Sequence, residues 1–393
     1  MSNISSSTEK RKGFSLSAFI QDSRSVGVLL LICTAASITI TNLPAIGLVY
    51  EGFWETNIPL LNKFNLPHSP LEIINDFLMV LFFFSVGMEI KREAVVGELS
   101  SPSRMTLPVV AALFGVAVPA LIFYFITQGT PYTHGWAIPT ATDIAFSLGI
   151  LSLLGKAVPH SMKIFLTALA IIDDLSAILI IALFYGDSPQ VPWLLGVAAL
   201  VVVILLLVKY LPNGFGRALY FILGLTMWYF MFRSGIHATF AGVLLAILLP
   251  VSTIENYEKK LYIPVNFLII PLFALANTSI FINTAAIANL LTELSLGIFF
   301  GLLLGKPLGI TLAVFLMIKS RIIRMPSKAN FKIFIGIGIL AGIGFTMSIF
   351  VSMLAFDSKE MQDTAKLAVL IASITSMIIG YLWLKVATKG KEI

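Results

Sequence analysis

The chain has a single cysteine, Cys33, and four scattered histidines among 393 residues. One cysteine cannot form a disulfide framework or a thiolate metal site, and isolated histidines do not assemble a zinc cluster. Charge is also sparse. Asp, Glu, Lys and Arg make up 12% of the chain, about half the ~25% of a soluble domain. The short alternating segments of a membrane β-barrel are missing too, and the apolar runs are longer and continuous. There is no low-complexity tract and no stretch that reads as a soluble domain. What is present is apolar: 58% hydrophobic residues and a mean hydropathy of +0.95. The composition defines an all-α integral membrane protein.

Twelve apolar segments are expected, near 26–44, 71–90, 105–126, 136–154, 162–185, 192–211, 217–232, 235–250, 261–281, 296–318, 331–354 and 364–386. The first 25 residues are polar and carry Lys10, Arg11, Lys12 and Arg24. No small-residue cleavage site follows the first apolar run, so it reads as a span rather than a signal peptide. Twelve spans put both termini on one side. Of the 26 Lys and Arg residues, Lys63, Arg233, Lys359 and Lys366 fall on the opposite side, Lys306 lies inside a span, and the rest flank the termini side. That bias places both termini in the cytoplasm. The net charge of +6 therefore reflects topology, not a nucleic-acid partner. The longest extramembrane stretch, about 45–70, alternates at Ile46-Gly47-Leu48-Val49-Tyr50; this permits a small hairpin or a plain loop.

Two segments look interrupted. Pro139, Thr140, Thr142 and Asp143 fall well inside 136–154, and Gly336, Gly338, Gly342 and Gly344 inside 331–354. Breaks at membrane depth are tolerated where the chain lines a cavity. They are the fourth and eleventh of twelve segments, each the middle of a three-span group, and the two groups start on opposite sides. That is the pattern of an inverted repeat, whose broken helices mark the substrate site. Spans 3–5 and 10–12 (about 105–185 and 296–386) would form a core group. Segments in 26–90 and 192–281 would form a scaffold group within one polytopic domain.

The most costly residues are Asp143, the adjacent Asp173 and Asp174, and Lys306, all flanked by apolar runs. Each charge at a helix centre costs roughly 2.5–3.5 kcal/mol on insertion scales, so the default reading is an ion or proton pathway. The aspartate pair lies about 16–20 Å from either end of its segment, near the midplane. Adjacent helix positions differ by about 100°, so one carboxylate can face a cavity while the other turns to a neighbouring helix. Two acids this close cannot both stay ionised without a cation. Carboxylates with a threonine hydroxyl suit a small hard cation, and Thr142 is the candidate. Lys306 lies one step off the stripe Gly297, Gly301, Gly305, Gly309, which favours close helix packing. Its natural partner is Asp173 or Asp174. Asp143 and Lys306 could also balance the partial charges where broken half-helices meet. Two mixed clusters, Glu89-Arg92-Glu93 and Glu255-Glu258-Lys259-Lys260, together with His237, could be solvated ends or a pH-responsive region.

Five motifs, in order, resemble the NhaA-type sodium/proton antiporters: Ala141-Thr142-Asp143-Ile144-Ala145-Phe146, Ala170-Ile171-Ile172-Asp173-Asp174-Leu175, Gly235-Ile236-His237-Ala238-Thr239, Gly305-Lys306-Pro307-Leu308-Gly309 and Gly342-Ile343-Gly344-Phe345-Thr346-Met347-Ser348-Ile349-Phe350. The likeness runs from about Ser25 to Val386. It implies twelve spans with helices 4 and 11 crossed, a bacterial inner-membrane location and a homodimer. It implies Asp174 and Asp173 as the site for Na⁺, Li⁺ and protons, with Thr142 and Asp143 nearby and Lys306 as partner. It also implies a pH-responsive region onto which Glu89, Arg92, Glu93, Glu258 and His237 map. No cofactor is implied.

The expected activity is exchange of external protons for cytoplasmic Na⁺ or Li⁺. A cation-coupled organic-anion symporter would need Arg or several polar groups at the midplane, and only Lys306 is on offer. An intramembrane aspartyl protease would carry its two aspartates on separate helices with a Gly-x-Gly-Asp motif. A channel would show a filter sequence or a ring of pore charges.

Overall fold

In lipid a segment must satisfy its own backbone hydrogen bonds, so apolar runs of this length become helices. The computed structural model describes residues 23–186, 188–210, 216–326 and 329–389, and every regular element among them is helical. Lys10, Arg11 and Lys12 lie outside the described residues. In chain order the main helices are α1 (Ser23–Thr41), α2 (Gly47–Glu55), α3 (Pro70–Val95) and α4 (Pro102–Thr127). A 3₁₀ arm (Pro131–Thr140) leads to α5 (Ile144–Leu153), followed by α6 (His160–Phe184), α7 (Val191–Tyr210), α8 (Gly216–Arg233) and α9 (Phe240–Leu248). The rest are α10 (Val251–Asn277), α11 (Glu293–Lys319), α12 (Phe331–Ala341), α13 (Phe345–Ala355) and α14 (Lys359–Ala387).

Among the described residues, eight helices are long and apolar enough to cross a membrane, and two bent pairs bring the number to ten. The pairs are the 3₁₀ arm with α5, bent by 45°, and α12 with α13, bent by 49°. Helices α8 and α9 stand at the seventh and eighth expected segments. At nine residues, α9 is only about 13 Å long. The expected span 235–250 is shortened because Gly235, at φ +84°, begins a turn before the helix.

The 46–50 alternation forms no hairpin. Residues 47–55 are helical, with Tyr50 and Trp54 one turn apart on the inner face: Trp54 is buried and the Tyr50 hydroxyl bonds the Leu275 carbonyl at 3.2 Å. Glu51 and Glu55, also one turn apart, both pair with Lys359. Five residues of alternation gave way to side chains that find partners at helical spacing.

The glycine stripe of α11 packs on α4. A Cβ at Gly305 would lie 2.7 Å from Pro119 Cα, and one at Gly309 2.3 Å from the Phe114 carbonyl oxygen. These backbone contacts leave no room to adjust. Gly309→Ala should therefore lower stability by about 1–3 kcal/mol, the usual cost of overpacking. Leu308→Ala, at a position 58% exposed, should be nearly neutral. Thermal denaturation of the two variants checks this.

The two broken helices pack crosswise, the 3₁₀ arm on α13 and α5 on α12. On either side of them, α4 packs on α6 and α11 on α14, so each break sits in a three-helix group. Helix α3 packs on α9 and α10, and α1 packs on both α5 and α10.

Candidate functional site

The breaks meet and are stitched together. The Asp143 N–H donates to the Ile343 carbonyl at 2.6 Å. Ser147, one turn into α5, donates to the Leu340 carbonyl at 2.8 Å, and Ser348, one turn into α13, donates to the Ile138 carbonyl at 2.7 Å. Each broken helix thus uses a serine hydroxyl to bond a carbonyl at the other's break.

Asp143 sits between two helix N-termini. Its Oδ1 accepts from the Phe146 N–H at 3.2 Å, capping α5. Its Oδ2 accepts from the Thr346 N–H at 3.2 Å and the Thr346 hydroxyl at 2.5 Å, at the start of α13. A carboxylate here balances both positive helix ends.

Asp173 and Asp174 lie at the middle of α6 and face different ways. Lys306 Nζ donates to Asp173 Oδ2 at 2.6 Å, and neither side chain is exposed at all. The Thr142 hydroxyl lies 2.8 Å from the same oxygen and 2.7 Å from the Ala341 carbonyl, the last of α12. With one proton, that hydroxyl can donate to only one of them at a time. Lys306 is therefore an ion-pair partner of Asp173 and makes no bond to a helix-end carbonyl among the described residues.

Asp174 faces a cavity of about 490 Å³ whose walls include Thr142, Asp143, Glu89, Arg92 and Glu258. Asp173 is not part of its lining. Asp174 Oδ1 has no hydrogen-bond partner. A buried carboxylate oxygen left free beside a cavity is available to a proton or a cation.

Arg92 pairs with Glu93 at 3.3 Å and with Glu258 at 3.4 Å, and Glu89 lies one turn before it on α3. Glu93 also accepts from the Glu98 N–H at 3.0 Å. The structure does not bring His237 to this cluster. His237 Nδ1 lies 2.9 Å from the Thr239 hydroxyl, and Nε2 lies 3.7 Å from Asp76. Asp76 and Glu89 are thirteen residues apart on one helix, roughly 20 Å.

Sequence reasoning missed Ser147, Thr346, Ser348 and the buried pair Asn75–Asn277, joined at 3.0 and 3.3 Å. Thr346 and Ser348 directly follow a glycine-rich break, the one place in an apolar helix where backbone groups need side-chain partners. That signal was there to use.

Two broken helices crossing beside a free, cavity-facing carboxylate define an ion-coupled secondary transporter. Residues 17–384 match the family model described as Na+/H+ antiporter 1. The Na(+)/H(+) antiporter NhaA of Cytophaga hutchinsonii is 44% identical over 377 residues, 94% of this chain and 95% of its own length. That of Dechloromonas aromatica is 43% identical over 386 residues, covering 96% and 97%. An Escherichia coli NhaA is 42% identical over 381 residues, covering 94% and 98%. The chain belongs to the Na+/H+ antiporter 1 family. It is a multi-pass membrane transporter, not an enzyme, and neither the symporter nor the protease alternative is supported.

Proposed function

We propose that this antiporter works by competition between H⁺ and Na⁺ (or Li⁺) for Asp174. The observation that carries this reading is the division of labour within the aspartate pair: Lys306 occupies Asp173 Oδ2, and Asp174 alone of the two lines the cavity. Ionised Asp174 takes the cation with oxygen ligands nearby, Thr142 foremost. A proton on Asp174 removes the charge that holds the cation. One site then serves both ions, and exchange needs no second pathway. When the cation displaces Lys306 from Asp173, the second carboxylate joins the site.

The cavity runs toward Arg92, Glu258 and Lys259, on the side where lysine and arginine accumulate. We read that side as cytoplasmic, with both termini there and the protein in a bacterial inner membrane. Release outward follows movement of the core group (105–185 and 296–386) against the scaffold (26–90 and 192–281). The chain works as a homodimer. The Glu89, Arg92, Glu93 and Glu258 cluster responds to cytoplasmic pH, and His237, at the other end of α3, lies apart from it. Purified protein in vesicles tests the reading. Imposed Na⁺ or Li⁺ gradients should drive proton flux without any organic acid, and flux that required an organic anion would overturn it.

A further inference from the structure

Tyr185 closes α6 immediately after its last helical turn and is 8% exposed. Its hydroxyl donates to the His134 carbonyl at 2.7 Å and accepts from the Ala137 N–H at 3.3 Å. Those two groups are i and i+3, the pair that a 3₁₀ turn would bond directly to each other. The phenol thus bonds both end groups of one turn of the 3₁₀ arm. The arm's other end is tied to the same helix, since Thr142 bonds Asp173. Helix α6 therefore holds the arm at two points.

The lengths agree. From Asp173 to Tyr185 is twelve helical residues, about 18 Å. From His134 to Thr140 is six 3₁₀ residues, about 12 Å. The two extended steps to Thr142 add about 6–7 Å. An α-helical arm would fall roughly 3 Å short. The hydroxyl thus ties a 3₁₀ arm of matching length to α6.

We propose that Tyr185 is a positioning residue for transport: by pinning the 3₁₀ arm to α6 it sets where the Thr142 hydroxyl stands beside the cation site. The inference rests on the reading of Asp174 and Thr142 as that site. Tyr185→Phe keeps the ring that packs on His134 at 5.1 Å and removes only the hydroxyl. Ala137 N–H and the His134 carbonyl then bond each other, so no buried group is orphaned and stability should hold. The bond that ties the arm to α6 at this end is then lost, and Thr142 is held less firmly beside the cation site.

The test is Na⁺-dependent proton flux of Tyr185→Phe in vesicles at fixed pH, with thermal stability measured in parallel. The expected result is a three- to tenfold higher KM for Na⁺, kcat within twofold of the parent and an unchanged melting temperature. Replacing Tyr185 with 3-fluorotyrosine keeps the hydroxyl and should retain the parental KM. Trp136→Phe perturbs the neighbouring ring contact to Phe184, at 5.5 Å, and should also retain it. A parental KM in Tyr185→Phe, or a KM change matched by lost thermal stability, would overturn the proposal. Asp174→Asn in the same vesicles separates the two failures. If it still exchanges ions, the site reading is wrong. If it is inactive and Tyr185→Phe has the parental KM, only the positioning role is wrong.

Discussion

Asp174→Asn should fold, insert in the membrane and exchange no ions. The change removes one charge and almost no volume, and Asp174 Oδ1 makes no hydrogen bond that the amide would break. Packing is therefore kept while the only cavity-facing member of the pair loses its ability to bind a proton or hold a cation. Residual exchange should fall by several orders of magnitude with the melting temperature near the parental value. Asp173→Asn should behave differently, because that carboxylate is bonded to Lys306 and Thr142. Its loss leaves a buried ammonium without its partner, so stability should drop along with transport. Sodium-driven proton flux at the parental rate in purified Asp174→Asn would remove Asp174 from the mechanism.

Lys306→Ala should have the largest effect on stability. The ion pair is 2.6 Å long with both side chains fully enclosed. Removing one member of such a pair typically costs about 3–5 kcal/mol, because the other charge is stranded. Truncation also leaves a void against α4, where the lysine side chain passes Gly115. The double variant Asp173→Asn/Lys306→Met fills that space and strands no charge, so it should regain most of the loss. Melting temperatures of the single and double variants decide the matter. A Lys306→Ala protein as stable as its parent would mean that the pair contributes nothing at rest.

The long membrane helices were legible because each is an apolar run ended by charge or by Gly and Pro, whereas eight to ten spans among the described residues leave the expected twelve unmatched. The breaks were legible because Pro139 with Asp143, and Gly342 with Gly344, are residues that an unbroken lipid-facing helix does not carry. The 100° step between neighbouring helix positions said that Asp173 and Asp174 would diverge. It could not say which would meet Lys306, because that depends on how α6 is rotated against a helix 133 residues away. The stitching by Ser147 and Ser348 was hidden for a similar reason: its partners are carbonyls, which have no letter in the sequence. The 47–55 segment misled because a five-residue alternation is too short to outweigh contacts made at helical spacing. His237 was grouped with Glu89 by its chemistry and by the resemblance, and the length of α3 keeps them apart.

Competition at a single carboxylate ties affinity to pH in a defined direction. A protonated carboxylate is a poor cation ligand, so the KM for Na⁺ must be high at low pH and fall as pH rises. With one competing proton it falls by up to about tenfold per pH unit, and it levels off once Asp174 is ionised. A pH response in the Arg92–Glu258 cluster adds steepness to the rate but does not remove this slope. The decisive measurement is therefore the KM for Na⁺ of the parental protein in vesicles across a pH series, with kcat determined at each point. A KM that falls and reaches a plateau, whatever pH dependence the Arg92–Glu258 cluster lends to kcat, is the predicted result. A KM independent of pH, with kcat carrying all of the pH dependence, would contradict competition at Asp174.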